Sequence, residues 1–158
     1  MLSLQEISDR LEIQDLLARY SHAVDQRDWA ALSQIFTPDA IIDYTEMGGA
    51  RGTLPEIQAW LAEALSRFKM FQHMVGTSLL TIDGDTARAR TLCHNPMVIT
   101  RDGNDHVFFC GLWYRDELVR TPDGWRICSR HEEHGYFHNV PPGLEPAPAL
   151  APSTLERI

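Results

Sequence analysis

Apolar side chains recur at helical spacing along the first two dozen residues. Leu4, Ile7 and Leu11, then Ile13, Leu16, Leu17, Tyr20 and Val24, form one stripe. Ser3 and Glu6 stand in front of it as an S-x-x-E pair, in which a hydroxyl accepts from a free helix N–H while the carboxylate reaches back. The pattern predicts a helix over residues 4–24. Asp28 is placed to cap a short second helix carrying Trp29, Leu32 and Phe36, which Pro38 ends. Residues 40–44 read as a short strand closed by Gly48 and Gly49. Thr53 and Glu56 repeat the capping pattern, with Pro55 in the first turn where its missing N–H costs little. Ile57, Trp60, Leu61, Ala64 and Leu65 then give a third helix its apolar face.

From residue 71 the period changes. Residues 71–82, 86–100, 106–120 and 125–137 read as long strands, separated by turn signals at Asp83-Gly84-Asp85, residues 101–104 and residues 121–124. Strands in sequence joined by short turns make an antiparallel meander. Helices first and strands after define an α+β domain, with one curved sheet wrapped over the helices. Residues 1–140 form this single domain. Residues 141–158 hold five of the nine prolines and predict an extended tail, either a disordered end or an arm over a pocket or a neighbouring subunit.

Composition narrows the partners. With 158 residues, 44% of them hydrophobic and 23% charged, the chain has the makings of one globular core. A net charge of -8 with no basic stripe argues against nucleic acid. The sequence has no long uninterrupted apolar run and no basic start followed by an apolar stretch, so neither a membrane span nor a signal peptide is expected. Cys93, Cys110 and Cys128 are odd in number and far apart, with no C-x-x-C pair. They read as reduced thiols packed as small apolar groups, and with them a cytoplasmic location is expected.

Two stretches carry candidate chemistry. "RHEEHGYFHN", Arg130 to Asn139, holds three of the seven histidines. A strand sends alternate side chains to opposite faces. Trp125 and Ile127 mark the inner face, so strict alternation puts Ser129, His131 and Glu133 inward. Arg126, Cys128, Arg130, Glu132 and His134 then point outward. H-E-E-H is one residue short of the metalloprotease H-E-x-x-H, and a strand separates its histidines, so no metal site is expected. His131 is the candidate for the inner cavity; a one-residue slip of parity would put His134 there instead.

"RYSHAVDQRDW", Arg19 to Trp29, puts Tyr20 on the buried stripe and Asp25 at the helix C-terminus. A carboxylate there opposes the negative end of the helix dipole and calls for a cation or a histidine. "FQHMVG" supplies His73 where the chain re-enters the core. A carboxylate in contact with an imidazole makes a base, because it orients the ring and stabilises the protonated form. A nearby tyrosine hydroxyl can polarise a carbonyl or donate to a leaving oxygen.

The order of elements, with "IQDLLARYSHAVDQRDWAALSQIFTPDAIIDY" and the closing "DGWRI", resembles the SnoaL-like branch of the nuclear-transport-factor-2-like superfamily over residues 4–137. The resemblance implies a cystatin-like cone, a curved mixed or antiparallel sheet wrapped around three helices of the N-terminal half, with a deep pocket. It implies cofactor-free lyase chemistry built on an Asp–His pair. In the dehydratase-type motif a tyrosine precedes the aspartate by five residues, which matches Tyr20 and Asp25, and the family histidine matches His73. The expected catalytic set is therefore Tyr20, Asp25 and His73. Tyr44, Asn95 and His131 are the expected substrate contacts. The family places an arginine near the end of the last strand, where this chain offers His131, Glu133 or His134. The expected activity is elimination on a hydrophobic cyclic or aromatic small molecule, steroid-like or polyketide-like, by a homodimer or homotrimer. Isomerase or cyclase chemistry would use the same parts. A non-catalytic assembly subunit, like the small subunit of ring-hydroxylating dioxygenases, is the alternative.

Overall fold

The structure is a computed structural model that describes residues 1–144, so the tail predicted for residues 141–158 lies outside the described residues after Leu144. The first helix, α1 (Leu4–Asp25), begins where Ser3 Oγ accepts from the Glu6 N–H at 3.1 Å. Glu6 does not reach back but pairs with Arg10 at 3.0 Å. The predicted apolar stripe holds from Ile13 onward. Leu4, Ile7 and Leu11 stay exposed, at 86%, 42% and 58%, while Asp9 is buried in the first turns. Asp9 accepts from Arg120 Nη1 and Nη2, both at 2.7 Å, and from Trp125 Nε1 at 3.1 Å. This clamp ties the start of α1 to the last turn of the sheet.

The predicted second helix is a 3-10 turn, Ala30–Gln34, with the Asp28 carboxylate accepting from the Ala31 N–H at 3.1 Å. Phe36 already belongs to strand β1 (Phe36–Asp43). Among the described residues the chain thus has two α-helices, not the three expected, the rest being short 3-10 turns. Pro38 does not end a helix. It lies inside β1, between Phe36 paired with Ile127 and Ile41 paired with Ser129, where the register slips and no ladder bond from its nitrogen is needed. β2 (Arg51–Thr53) leads into α2 (Leu54–Ala64), whose capping box is complete: the Thr53 N–H donates to Glu56 Oε2 at 2.8 Å. α2 buries Leu54, Ile57 and Leu61 against the core.

The long strands are β4 (Met74–Asp83), β5 (Thr86–Arg101), β6 (Asn104–Thr121) and β7 (Gly124–His138), an antiparallel meander as expected. The segment predicted as one strand from residue 71 is split, with a two-residue β3 (Met70–Phe71) before β4. The sheet order is β2-β1-β7-β6-β5-β3, with β4 also on β5. β1 runs parallel to β7, so the curved, open sheet is mixed.

Two irregularities in the β6–β7 ladder govern what faces inward. Glu117 pairs with Ser129 but Leu118 with Ile127, so Cys128 is an extra residue. Gly111 pairs with Tyr136 but Leu112 with His134, so Gly135 is another. Gly135 is required by close approach: a Cβ there would sit 2.5 Å from the Gly111 carbonyl oxygen. The first bulge turns Arg130 inward. Its Nε and Nη2 donate to the two Asp116 carboxylate oxygens, both at 2.7 Å, and neither side chain is exposed. The guanidinium lies 4.0 Å from the ring centroids of both Tyr20 and Tyr114. A buried charge is tolerated only when so paired, and the tyrosine faces add cation–π attraction.

Two predictions follow from these ion pairs. Asp116→Ala leaves the Arg130 charge buried and unpaired, and is expected to cost about 3–5 kcal/mol in urea denaturation. Arg120 hydrogen bonds hold the Asp9 carboxyl at about 2, so its contribution is present above the unfolded value near 3.8 and lost as pH falls through about 2. Thermal melts of Asp9→Asn between pH 5 and pH 2 should therefore start lower than wild type and converge on it in acid.

Candidate active site

The helix-end carboxylate has the partner its position calls for. Asp25 Oδ1 lies 2.6 Å from His73 Nδ1, and its two oxygens accept from the His73 backbone N–H at 3.1 and 3.0 Å. A break in the sheet frees that N–H. Phe71 pairs with Met97 and Met74 with His94, so residues 72 and 73 face Asn95 and Pro96 of β5. The Pro96 carbonyl accepts from Gln72 at 3.1 Å, but its nitrogen carries no hydrogen to return. The ladder opens there, and Asp25 takes the amide that the sheet leaves unused.

On the other side of the imidazole, Asn95 Nδ2 lies 3.1 Å from Nε2. The amide nitrogen donates, so Nε2 accepts and the ring proton sits on Nδ1, toward Asp25. Nε2 is then the basic atom. Asn95 Oδ1 is buried without a hydrogen-bond partner among the described residues.

His73 and Asn95 edge a cavity of about 390 Å³. Its other polar lining side chains include Tyr20, Tyr44 and Glu132, and its apolar walls include Trp60, Leu61, Phe68, Met97 and Phe108. Val140 and Leu144, just past the sheet, also line it. A cavity of this size with apolar side chains on its wall and convergent polar groups is a usual form of small-molecule site.

Tyr20 and Tyr44 are both buried, with their hydroxyls 2.7 Å apart. Burial pushes the Tyr20 phenol up to about 12 and the Tyr44 phenol well above its ordinary value. Both stay neutral, so the pair holds one O–H between the oxygens and has a second to donate into the cavity. The thiols of Cys93 and Cys110 are pushed up to about 12 by burial, which makes them packing groups rather than nucleophiles.

The last strand departs from strict alternation. Because of the bulge at Cys128, His131 does not enter the cavity. It faces outward, with Nε2 2.9 Å from Glu46 Oε1 and Nδ1 3.8 Å from Asp43. Glu133 is also outside, bonded to Arg90 at 2.6 Å. His134 shares the face of its ladder partner Leu112 and packs its ring on Phe137 at 5.3 Å, but it is not among the residues lining the cavity; its backbone N–H donates to Glu46 Oε2 at 3.0 Å. Arg130 and Glu132 turn inward in place of His131 and Glu133. Arg130 is the last-strand arginine that alternation had turned outward, and it is buried behind Tyr20 rather than lining the cavity. Glu132 does line it, and no hydrogen bond reaches its carboxyl from the described residues. Desolvation, seconded by Asp43 and Asp116 and opposed by Arg130, pushes that carboxyl up to about 8. The signals that could have found these residues are the small or thiol residues Cys128 and Gly135, where a bulge resets the parity. Among the described residues no cluster of three His, Cys, Asp or Glu has metal-holding geometry, and no helix is long and apolar enough to cross a membrane.

Known proteins share this architecture. The SnoaL-like domain family matches residues 5–131. The uncharacterized protein Rv2910c of Mycobacterium tuberculosis is 54% identical over 132 residues, covering 84% of this chain and 89% of its own. The crystal structure of an NTF2-like protein with a cystatin-like fold from Novosphingobium aromaticivorans is 30% identical, with a TM-score of 0.64, over 83% of this chain and 84% of that one. A hexachlorocyclohexane dehydrochlorinase shares the fold at 22% identity and a TM-score of 0.73, over 89% of this chain and 99% of that one. On the domain match and the 54% relative, the chain belongs to the SnoaL-like family of the nuclear-transport-factor-2-like superfamily.

Proposed function

We propose that the protein is a cofactor-independent lyase that eliminates water or a comparable leaving group from a hydrophobic cyclic or aromatic small molecule. The observation that carries this reading is the Asp25–His73 contact of 2.6 Å, with His73 on the wall of a cavity that also presents Trp60, Leu61, Phe68, Met97 and Phe108. Asp25 holds the His73 ring at Nδ1 and its backbone N–H with both oxygens, and it favours the charge that forms when Nε2 takes a proton from an activated carbon. Asn95 holds the basic nitrogen at rest and yields it to the substrate. Its free Oδ1 accepts from a substrate hydroxyl. The Tyr20–Tyr44 pair donates to a carbonyl oxygen, where charge develops as the proton leaves. The dehydrochlorinase with the same fold performs an elimination by name, which agrees with this chemistry. Isomerisation would begin with the same proton transfer and differ only in where the proton returns. A pocket closed deep between sheet and helices, and a homodimer or homotrimer around it, complete the reading.

The test is turnover without added cofactor on a panel of hydroxylated ring ketones and aryl alcohols, followed by the absorbance of the new conjugated double bond. His73→Ala and Asp25→Asn are each expected to lower kcat roughly 10²–10⁴-fold. Tyr20→Phe should cost less, about tenfold, because Tyr44 keeps one donor in place. Unchanged turnover in both His73→Ala and Asp25→Asn, with the fold intact, would remove the pair from the chemistry.

A further inference from the structure

We propose that Glu132 is a second catalytic group of the same cavity, a neutral carboxylic acid that protonates the departing oxygen while His73 takes the carbon-bound proton. This rests on the lyase reading and extends it to the substrate: a neutral ring compound that carries an acidic C–H and a hydroxyl leaving group on adjacent carbons, presented to opposite sides of the ring.

Position is the first argument. Glu132 reaches the cavity only because the bulge at Cys128 reverses the parity of β7, and it pairs across the ladder with Tyr114, which is fully buried. Asn95, which holds the His73 ring, is on β5, and β6 lies between β5 and β7. Asn95 pairs with Cys110 and Glu132 with Tyr114, so the two backbones lie two strand spacings apart, roughly 10 Å, and four residues apart along β6, roughly 13 Å. That gap is too wide for direct proton exchange between the two side chains and suits a ring placed between them.

The second argument is that no hydrogen bond from the described residues uses this carboxyl. The groups around it hold other partners or stay neutral. Arg130 is the nearest cation; it spends Nε and Nη2 on Asp116, and its Nη1, buried without a hydrogen-bond partner among the described residues, makes no bond to Glu132. Asp43 bonds Thr45. Tyr20 and Tyr44 hold each other, and the Tyr114 hydroxyl and the thiols of Cys93 and Cys110 stay neutral through burial. A carboxylate left among these groups with no donor would be costly, and the position is held instead by the protonated acid, at about 8. A protonated carboxyl has one O–H to give, and Glu132 lines the cavity that would receive it.

The step balances. His73 Nε2 removes the carbon-bound proton, and the C–H electron pair becomes the new C=C bond. The C–O bond breaks, and the leaving oxygen takes the Glu132 proton and departs as water. The imidazolium proton then returns through solvent to the Glu132 carboxylate.

Two experiments test this. In the first, protein labelled with ¹³C at the glutamate carboxyls is titrated by NMR, the Glu132 signal being the one missing from Glu132→Gln, with Glu132→Leu as a second assignment variant. A midpoint near 8 is expected. A midpoint in the ordinary glutamate range, about 4–5, overturns the proposal without any substrate in hand. The second compares paired substrates that differ only in leaving group, hydroxyl against a halide that departs without a proton. Glu132→Gln is expected to lose roughly 10²–10⁴-fold on the hydroxyl substrate and under about tenfold on the halide. His73→Ala should lose both. Equal loss on the two substrates, or none, in Glu132→Gln removes Glu132 as the acid and leaves His73 in place. Undiminished turnover in His73→Ala sinks the lyase reading instead, a result distinct from the first.

Discussion

The buried Arg130–Asp116 pair is the constraint on which the rest of the architecture turns. Both side chains are wholly inside, and the guanidinium is held between the rings of Tyr20 and Tyr114. One cation thus joins α1, β6 and β7. The desolvation of two charges is offset only if the geometry is kept, so the pair sets the position of α1 over the sheet within narrow limits. Tyr20 is fixed on the guanidinium, and its hydroxyl is delivered to Tyr44. The bulge that admits Arg130 also turns Glu132 inward and His131 outward. A structural ion pair therefore determines which last-strand residues face the cavity.

The other half of the site depends on what the sheet omits. Pro96 has no hydrogen to give to the neighbouring segment, and the ladder between β5 and the chain before β4 lapses at residues 72 and 73. An unpaired amide is a liability inside a protein. Here it becomes the second attachment of Asp25, so the carboxylate grips His73 by backbone and ring together. The unfavourable place of Asp25 at the helix C-terminus is resolved by the same contacts. Local strain in two elements is relieved at one point, and that point is the candidate base.

The cavity that results is polar at separated stations within an apolar wall. His73 and Asn95 stand at one, the tyrosine pair at a second and Glu132 at a third. Burial raises the phenols and the carboxyl, leaving neutral donors facing a basic imidazole nitrogen. Such a division between donors and one acceptor suits the transfer of a proton across a bound molecule.

The sequence by itself determined the helix starts, the turns and the antiparallel meander, because capping boxes, glycine turns and residue periodicity are local properties of a few neighbouring positions. It also singled out Asp25 and His73, since a carboxylate at a helix C-terminus calls for a partner and few residues can supply one. It misjudged the short second helix, the role of Pro38 and the burial of Asp9, each decided by a partner far along the chain: Ile127 beyond the β1 irregularity, and Arg120 with Trp125 for Asp9. The last strand shows the limit most clearly. Alternation is a reliable rule only while the ladder is regular, and one extra residue at Cys128 inverts the assignments that follow until Gly135 resets them. Whether a bulge forms depends on the partner strand and on a buried arginine finding its aspartate. So His131 against Glu132 was a choice that only tertiary packing could make.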